Sequence, residues 1–561
     1  MKLRAPLIFL TFLGFANSGY AQDIDAIIHR DILSAAGGIS FQQMAYSGNR
    51  LVASRKPYTY MLQGNVNLKI LGFIDAPFTF IYSNLGNKYT QATFNQSSIH
   101  PSYKWIKLHL GTIASSWSPY TLNGHVFRGG AVDLQPGKVS FSCAAGQFVR
   151  RVEPEGAISN SLVLPSYSRN GVGAKLEYNG AGKVKISSSV FGAADNIRSL
   201  PATEFQSLTP KENLAAALQL EFSPFKKLQL HVDGGRSWLR NNKTEKGYFR
   251  KTSTEWAVYN AYKVNAIWAV AAGNLSLNYE RIDPGYQTLG AYYFNNNLEN
   301  ITIGAAMRML KNKLNIQGSI GKQRDNLDKK RISTLSRTAG NLSISYNPGK
   351  RLQMQANYSN FISHTNMRSF EELNFTTQPY PSWDTLNFRQ ISSNMSGNIS
   401  YQLSANNTLS QTLSAGGFIQ SGNESGGGVA STSSRLSNAM LRYTLQHKNS
   451  GLLFSASANA NQNNLRGTSL WQFSPGFTMG MSFFKKKLKV SQSLVMSSGQ
   501  STQIGNLTNY RLTAAATLWG AHSLQCSYQR LQRSGPQAFF ENLFTLNYSV
   551  NTTFFDTKGK K

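Results

Sequence analysis

The sequence predicts an all-β fold, a large transmembrane antiparallel β-barrel of about 26 strands, with a range of about 22–28, and a short N-terminal periplasmic helix. Three observations predict this fold. Charged residues make up 15% of the chain and aromatic residues 12%, apolar residues recur at every second position, and short turns alternate with longer polar loops. After the N-terminus, no run of about 18 apolar residues occurs, which argues against membrane-spanning helices.

The N-terminal stretch MKLRAPLIFLTFLGFANSGYAQ has the form of a secretory signal peptide. Lys2 and Arg4 provide a basic start, residues 7–15 form the apolar segment, and residues 19–21 are a small-x-small cleavage site. We expect a cleavable signal peptide over residues 1–21. The mature chain is then exported, and its barrel lies in a bacterial outer membrane.

The segment after the signal, DIDAIIHRDILSAA, is the one stretch with helical spacing. Ile24, Ile27, Ile28 and Leu33 lie close to one helix face, and Gly37-Gly38 is suited to end the helix. We expect a periplasmic helix over 22–37, the transmembrane barrel over 38–555 and a basic C-terminal tail over 556–561.

The predicted strands place apolar and polar side chains on opposite faces. LQLHVDGG (228–235) puts Leu228, Leu230 and Val232 on one face and polar residues on the other. LFTLNYSVNTTFF (543–555) shows the same alternation and ends on aromatic residues. This period of two is the period of a strand, and in a membrane barrel one face contacts hydrocarbon while the other contacts water.

The chain contains two cysteines, Cys143 and Cys526, which are too few for a disulfide framework. Each shares the parity of an apolar neighbour, Phe141 for the first and Leu524 for the second. Two interpretations stay open. The favoured one treats both as small apolar side chains that face lipid, and the other treats them as a regulatory disulfide.

Short turns recur along the chain and set the strand count. They contain the glycine, proline and asparagine typical of tight turns. Twelve such turns at one end imply thirteen longer connections at the other, and hence about 26 strands. The twelve turns lie at 71–72, 100–104, 135–138, 179–183, 223–227, 271–274, 311–313, 347–351, 404–407, 447–451, 484–487 and 519–522.

Basic residues are concentrated in these turns, and the formal net charge of the chain is +31. We expect a basic periplasmic rim formed by Lys138, Lys183, Lys226, Lys227, Lys311, Lys313, Lys350, Arg351, Lys485, Lys486 and Lys487. An exported chain does not meet nucleic acid, so the expected partners are outer-membrane lipids and lipopolysaccharide. The alternative is that the rim docks an acidic periplasmic or envelope protein.

Residues 105–141 contain the most distinctive segment, WIKLHLGTIASSWSPYTLNGHVFRGGAVDLQPGKVSF. Pro119 interrupts strand pairing, and Gly129-Gly130 permits unusual backbone paths. We expect this loop to fold inward and narrow the lumen. The side chains that would line the constriction are Trp117, Tyr120, His125 and Arg128. The alternative is a bulge or loop packing that closes the barrel.

Three further candidates for the lumen, His231, Asp233 and Arg236, lie close together on one strand. A metal site needs three or four ligands, and ordinary lumen polarity explains such a group, so we predict no metal and no cofactor. No G-x-S-x-G, H-E-x-x-H, C-x-x-C or phosphate-loop motif occurs. We expect no enzymatic activity. A barrel hydrolase would need a Ser/His or Asp/His cluster at the outer rim.

Three segments carry a resemblance to a known family: PYTYMLQGNVNL (57–68), PFTFIYSN (77–84) and SPYTLNGHVFRGGAVDLQPGKVSFS (118–142). They resemble an outer-membrane β-barrel family of the Bacteroidota that has no assigned function. The resemblance covers about residues 37–155. It implies an outer-membrane location and a barrel fold, and it supplies no catalytic residues.

The leading function expected from these features is a channel or porin-like transporter for small or polymeric polar or anionic solutes. Serine, asparagine, glutamine and basic side chains on the water-facing positions favour such cargo. The alternative is a structural or accessory subunit of an outer-membrane export or assembly complex that holds its partners at the basic rim.

Overall fold

The computed structural model consists almost entirely of β-strands. It describes residues 33–49, 56–84, 95–153, 165–180, 184–200, 208–241, 256–328, 336–364, 389–426, 429–465, 468–499, 505–535 and 538–557. Within these ranges, a short 3-10 helix at Ile197–Ser199 interrupts a series of antiparallel strands. No helix in the described ranges is long and apolar enough to cross a membrane.

The strands follow one another along the chain. The first fourteen are β1 (Leu33–Gly48), β2 (Tyr58–Ile70), β3 (Ile74–Ser83), β4 (Gln96–Ile99), β5 (Ser102–Tyr103), β6 (Ile106–Ser116), β7 (Asn123–Leu134), β8 (Val139–Val149), β9 (Arg169–Asn179), β10 (Val184–Asp195), β11 (Lys211–Phe225), β12 (Leu228–Asn241), β13 (Ala257–Val270) and β14 (Gly273–Ile282). The remaining strands are β15 (Leu298–Met309), β16 (Leu314–Asp325), β17 (Ser336–Tyr346), β18 (Leu352–His364), β19 (Arg389–Ala405), β20 (Leu409–Gly426), β21 (Val429–His447), β22 (Leu452–Leu465), β23 (Thr468–Phe483), β24 (Leu488–Gly499), β25 (Leu507–Leu518), β26 (His522–Arg533) and β27 (Phe539–Thr557).

The sheet closes on itself. Each strand pairs antiparallel with the next, except that β4 and β5 do not pair with each other, and β1 pairs with β27 over its whole length, from Leu33 opposite Thr557 to Gly48 opposite Glu541. β4 and β5 form a single crossing of the wall, interrupted at His100 and Pro101, and both pair with β3 and β6. The wall therefore has 26 crossings, which confirms the predicted strand number.

Short turns gather at one end of the barrel and longer connections at the other. The predicted turn segments lie at the strand ends on the side that also holds Leu33 and Thr557. The segment 100–104 contains β5, and the turn itself follows at 104–105. Residues 181–183 lie outside the described residues. The stretch 484–487, for example, joins β23 to β24 by the turn FKKK. In the outer-membrane type of barrel this short-turn end is periplasmic, and the longer loops face outward.

The two faces of the wall separate as the alternation predicts. On β12, Leu228, Leu230 and Val232 pair with Trp268, Ala266 and Val264 on the outer surface. The intervening residues point inward, as does Asp233, which follows Val232 and is 4% exposed. Large apolar side chains cover the outer surface, for example Leu218 at 58% and Ile320 at 63% exposed. An apolar belt of this kind is stable in hydrocarbon and not in water.

The two cysteines are free and lie on this outer surface. Cys143 pairs with Val132 and Ala174, and Cys526 pairs with Leu546 and Ala514. Their strands lie far apart along the wall, so the interpretation as small apolar side chains is the one that the structure supports.

The N-terminal prediction is wrong at its end. Leu33–Gly37 belongs to β1 instead of a helix, because these residues pair with both β2 and β27 and complete the closure. Residues 22–32 and the signal peptide lie outside the described residues. At the C-terminus, β27 runs to Thr557, two residues beyond the predicted barrel end at 555, and residues 558–561 lie outside the described residues.

A charge placed on the outer face tests this separation. Leu218 lies near the middle of β11 and faces outward, whereas its neighbour Gln219 faces inward. Leu218→Arg is expected to lower the free energy of unfolding by about 2–4 kcal/mol, since a guanidinium then contacts hydrocarbon. The measurement is denaturant unfolding in lipid vesicles. Gln219→Arg is the matched control, and equal losses for both variants would contradict the assigned faces.

Candidate functional site: the inner wall

Two loops from the long-loop end fold onto the inner wall. The first inner loop, residues 117–122, joins β6 to β7, and the second inner loop, residues 283–297, joins β14 to β15. They meet in a parallel bridge between Leu122 and Gly290, where the Asn123 N–H donates to the Gly290 carbonyl at 3.0 Å. Because β7 to β14 separate the two loops along the wall, their junction covers the inner surface of those strands.

Hydroxyl groups of the second inner loop fasten it to the first. The Tyr286 hydroxyl donates to the Tyr120 carbonyl at 2.7 Å, and the Thr288 hydroxyl donates to the Thr121 carbonyl at 2.5 Å. Burial raises the pKa of Tyr286. Burial, followed by the nearby Glu280 carboxylate, raises the pKa of Tyr120. Both phenols therefore stay neutral hydrogen-bond donors across the physiological pH range.

Asn213 on β11 anchors the second inner loop to the wall. This side chain is fully buried, its amide nitrogen donates to the Gln287 carbonyl at 3.1 Å, and its amide oxygen accepts the Leu289 N–H at 3.1 Å. The Ser237 hydroxyl on β12 donates to the same Gln287 carbonyl at 2.6 Å. The buried backbone groups of the loop therefore hydrogen-bond to side chains of the wall instead of water, as buried polar groups require.

Aromatic packing fills the space beneath the loops. The rings of Phe127 and Phe148 stack with centroids 4.5 Å apart, and Phe191 meets Phe148 edge-on at 5.0 Å. Gly235 is required under Tyr120, because a Cβ there would lie 2.5 Å from the Tyr120 Cβ. This sector of the wall therefore has a packed core, and the two inner loops are a rigid part of the barrel.

The structure places three predicted constriction residues inside this core. Trp117 is 9%, Tyr120 is 1% and His125 is 2% exposed. The His125 ring stacks on Tyr292 of the second inner loop with centroids 3.9 Å apart. The predicted inward fold of the loop is thus present in the structure, while the use of these side chains as a solute constriction stays a prediction.

Two predicted lumen residues lie on the opposite face. Arg128 follows the inward Phe127 on β7, and strand alternation turns it outward. Arg236 lies between the inward residues Gly235 and Ser237, and its guanidinium is 5.5 Å from the outward Trp238 ring. Placing both arginines in the lumen was wrong, because a strand reverses the side-chain direction at each residue.

His231 and Asp233 do share the inner face of β12. The His231 Nε2 and the Asp233 Oδ2 are 3.0 Å apart, and Glu221 on β11 lies 3.9 Å from the His231 Nδ1. Within the described ranges, no group of three or more His, Cys, Asp or Glu side chains is arranged to hold a metal ion. The pair lines the inner wall as a polar contact.

A chain of polar side chains nearer the short-turn end was missed by the sequence interpretation. It runs along the inner face from Asp133 on β7 through His109 on β6 and His100 to Ser98 on β4. The available signal was parity, since His109 alternates with the outward Leu108 and Leu110. The sequence predicts a turn at 100–104, and a turn gives His100 no place on the inner wall.

The basic rim is present at the short-turn end. Its members, apart from Lys183, which lies outside the described residues, are exposed. No Asp or Glu occurs in any of the twelve predicted turn segments. The rim is therefore a ring of positive charge without acidic residues in the same turns. Near a phosphate-rich membrane surface, each ammonium group contributes about 1 kcal/mol to the attraction.

Comparisons with known proteins give only distant similarity. No protein-family model and no curated protein matches the chain. The P pilus usher PapC translocation pore is 10% identical, with 93% of this chain and 100% of that chain covered and a TM-score of 0.42. The siderophore receptor PirA from Pseudomonas aeruginosa is 8% identical, with 92% and 80% covered and a TM-score of 0.40.

A third solved structure, OccAB2 of Acinetobacter baumannii, is 11% identical to this chain. The alignment covers 61% of this chain and 92% of that chain, with a TM-score of 0.28. Identities and TM-scores this low carry no argument about function.

Removal of the Asn213 side chain tests the anchoring of the second inner loop. Asn213→Ala leaves the Gln287 carbonyl with one partner fewer and the Leu289 N–H without its acceptor. Each such loss lowers the free energy of unfolding by about 1–3 kcal/mol. We expect a lower thermal unfolding temperature in detergent micelles. Asn398→Ala, which removes an exposed asparagine of β19, is the control. Equal unfolding temperatures for both variants would show that the loop is not anchored there.

Proposed function

We propose that the chain is an outer-membrane channel for small or polymeric polar solutes, with a preference for anions. The observation that carries this proposal is the combination of a closed wall of 26 crossings with inner loops that cover one sector. The outer apolar belt supports the membrane location. Three properties of the inner space, its width, its lining and its charge, support passage of solutes.

The width follows from the wall. Strands about 4.8 Å apart and tilted by about 40° give 26 crossings a perimeter of about 160 Å and a mean diameter of about 50 Å. Barrels of about 16–18 strands already hold an aqueous channel. The two inner loops cover β7 to β14, whereas the described part of β16 to β27 buries no large side chain.

The lining of this second sector consists of small polar side chains. Hydroxyl pairs link neighbouring strands on the inner face: the Oγ atoms of Ser400 and Ser414 are 3.2 Å apart, and those of Ser474 and Ser497 are 2.8 Å apart. Such groups bind water and passing solutes weakly and reversibly, which favours conduction over tight binding.

The charge of this sector favours anions. Glu424 is the only Asp or Glu within β19 to β26. Three exposed basic side chains, Arg442, Lys489 and Arg511, lie on the inward parity of β21, β24 and β25. Their inward partners are the hydroxyl residues Ser414, Ser482 and Ser493. Fixed positive charge along a water-filled wall raises the local concentration of anions.

Planar-bilayer recording tests the channel. The purified chain is expected to conduct with an anion-to-cation permeability ratio above one, and Arg442→Glu is expected to lower that ratio. Arg435→Glu is the matched control, because Arg435 lies on the same strand and pairs with Ser421 on the outward parity. A silent bilayer or a preference for cations would contradict the proposal.

A second function is favoured by the acid-free basic rim. We propose as the alternative that the barrel is a structural or accessory subunit of an outer-membrane export or assembly complex. Its partner would be a periplasmic or envelope protein with an acidic surface that docks on the short turns. An exposed ring of lysines at one end attracts such a surface over roughly one Debye length, about 8 Å at physiological salt.

Affinity purification in mild detergent separates the two functions. The alternative predicts a co-purifying protein in fixed stoichiometry, which is lost from the variant Lys485→Gln, Lys486→Gln, Lys487→Gln. The control neutralises the three basic residues 329–331 in the connection after β16. A lone barrel from the unaltered chain, or equal recovery of the partner with both variants, would argue against docking at the rim.

A further inference from the structure

The polar chain on the inner wall has the order of a nucleophile, a base and two orienting groups. The Ser98 Oγ lies 3.0 Å from the His100 Nε2, and the His100 Nδ1 lies 2.7 Å from the His109 Nδ1. The His109 Nε2 lies 3.0 Å from the Asp133 Oδ2. The Thr79 Oγ1 lies 2.8 Å from the Ser98 Oγ. We call these five residues the serine relay.

With both imidazoles neutral, one carboxylate determines the position of every hydrogen in the serine relay. An ionised Asp133 only accepts, so the His109 Nε2 carries hydrogen and its Nδ1 is a lone pair. The facing Nδ1 of His100 must then donate, which leaves its Nε2 as a lone pair. The Ser98 hydroxyl therefore donates to His100, the hydrogen bond that a general base needs.

The backbone holds Ser98 in a fixed place. Its cross-strand partner Gly111 has a φ of 108°, and a Cβ at Gly111 would lie 2.2 Å from the Ser97 carbonyl oxygen. Only glycine combines this φ with so close an approach. The strand break at His100 and Pro101 then lets the His100 ring reach both Ser98 and His109.

A recess next to Ser98 offers room for a substrate. Its volume is about 570 Å³, it crosses the seam between β1 and β27, and Ser98 and Thr79 are among its lining residues. Other polar residues of the lining include Ser40, Gln63, Asn65 and Ser549. Ser98 is only 7% exposed, so a small group within this recess is the substrate that it can reach.

We propose that Ser98 is a nucleophile, with His100 as its general base, in an acyl-transfer site for small carboxylic esters. His109 and Asp133 are positioning residues that hold the hydrogens of the relay in the required order. This activity goes beyond conduction, since it needs the recess and not an open lumen. A barrel hydrolase was expected to need a Ser/His or Asp/His cluster at the outer rim, whereas this cluster lies on the inner wall.

The reaction balances with water as the only co-reactant. The Ser98 Oγ forms a bond to the ester carbonyl carbon, and its proton passes to the His100 Nε2. The carbon–oxygen bond to the alcohol breaks, and the alcohol leaves with that proton. Water then attacks the acyl-serine, again through His100, and releases the carboxylic acid. During each step the hydrogen bond from the His100 Nδ1 to His109, which Asp133 holds in place, stabilises the charge on the His100 imidazolium.

A fluorophosphonate probe tests the nucleophile on the full chain in detergent micelles, because the Ser98 Oγ would displace fluoride and remain covalently modified. Mass spectrometry of the digested protein is expected to place the adduct on Ser98. Ser98→Ala should abolish that labelling. Ser97→Ala, a matched change one residue away on the outward face, should leave it intact. Labelling of Ser98 no faster than of the exposed Ser450 would overturn the proposal.

Asp133→Asn tests the relay itself, since its amide nitrogen can donate to His109 and reverse every hydrogen position. We expect at least a tenfold slower labelling of Ser98, with recovery in Asp133→Glu, which keeps a carboxylate. Folding of each variant is checked on an electrophoresis gel, where a folded barrel changes its mobility after heating. Unchanged labelling in a folded Asp133→Asn variant would overturn the assignment of the relay.

Discussion

The closure of the wall between β1 and β27 is the constraint on which the rest of the structure depends. In hydrocarbon no water is present to hydrogen-bond with a free strand edge, so each unpaired backbone group costs several kcal/mol. The two ends of the chain remove that edge by pairing from Leu33–Thr557 to Gly48–Glu541. Every other feature, the outer apolar belt, the inner polar lining and the short turns, follows from a closed antiparallel sheet.

A wide closed wall leaves the inner space to be organised by side chains and loops. In the sector from β6 to β15, buried amide and hydroxyl groups hold two loops over a core of aromatic rings. In the described part of the opposite sector, serine and arginine side chains remain in contact with the lumen. The barrel therefore combines a packed side with a side whose small polar and basic side chains face the lumen.

Local signals in the sequence were sufficient for the strand number and the two faces. Every turn segment except 484–487 contains its own glycine, proline or asparagine, and each strand carries its own alternation, so neither depends on distant residues. The exception is Leu33–Gly37, where the local spacing predicts a helix. These residues instead pair with β2 and β27, because closure stabilises the barrel as a whole. Amphipathic spacing alone does not reveal such a competition.

The site was less predictable, because it depends on register between strands. Ser98, His100, His109 and Asp133 meet only when three crossings of the wall are aligned residue by residue. The contact of Asn213 with Gln287 likewise joins residues far apart in the chain. Arg128 and Arg236 had the right residue type but the wrong parity. Polar and titratable side chains could thus be recognised in the sequence, whereas the contacts between them could not.

Disulfide trapping across the seam measures closure most directly. Ser40 and Ser549 are paired on the inner face of β1 and β27, and paired strands place Cα atoms about 4.5–5.5 Å apart, within disulfide range. In a chain with Cys143→Ala and Cys526→Ala, the pair Ser40→Cys and Ser549→Cys is expected to crosslink in native membranes. Ser40→Cys with Thr545→Cys, which is out of register, is expected to stay reduced. Absence of the first crosslink in the folded protein would contradict a closed barrel.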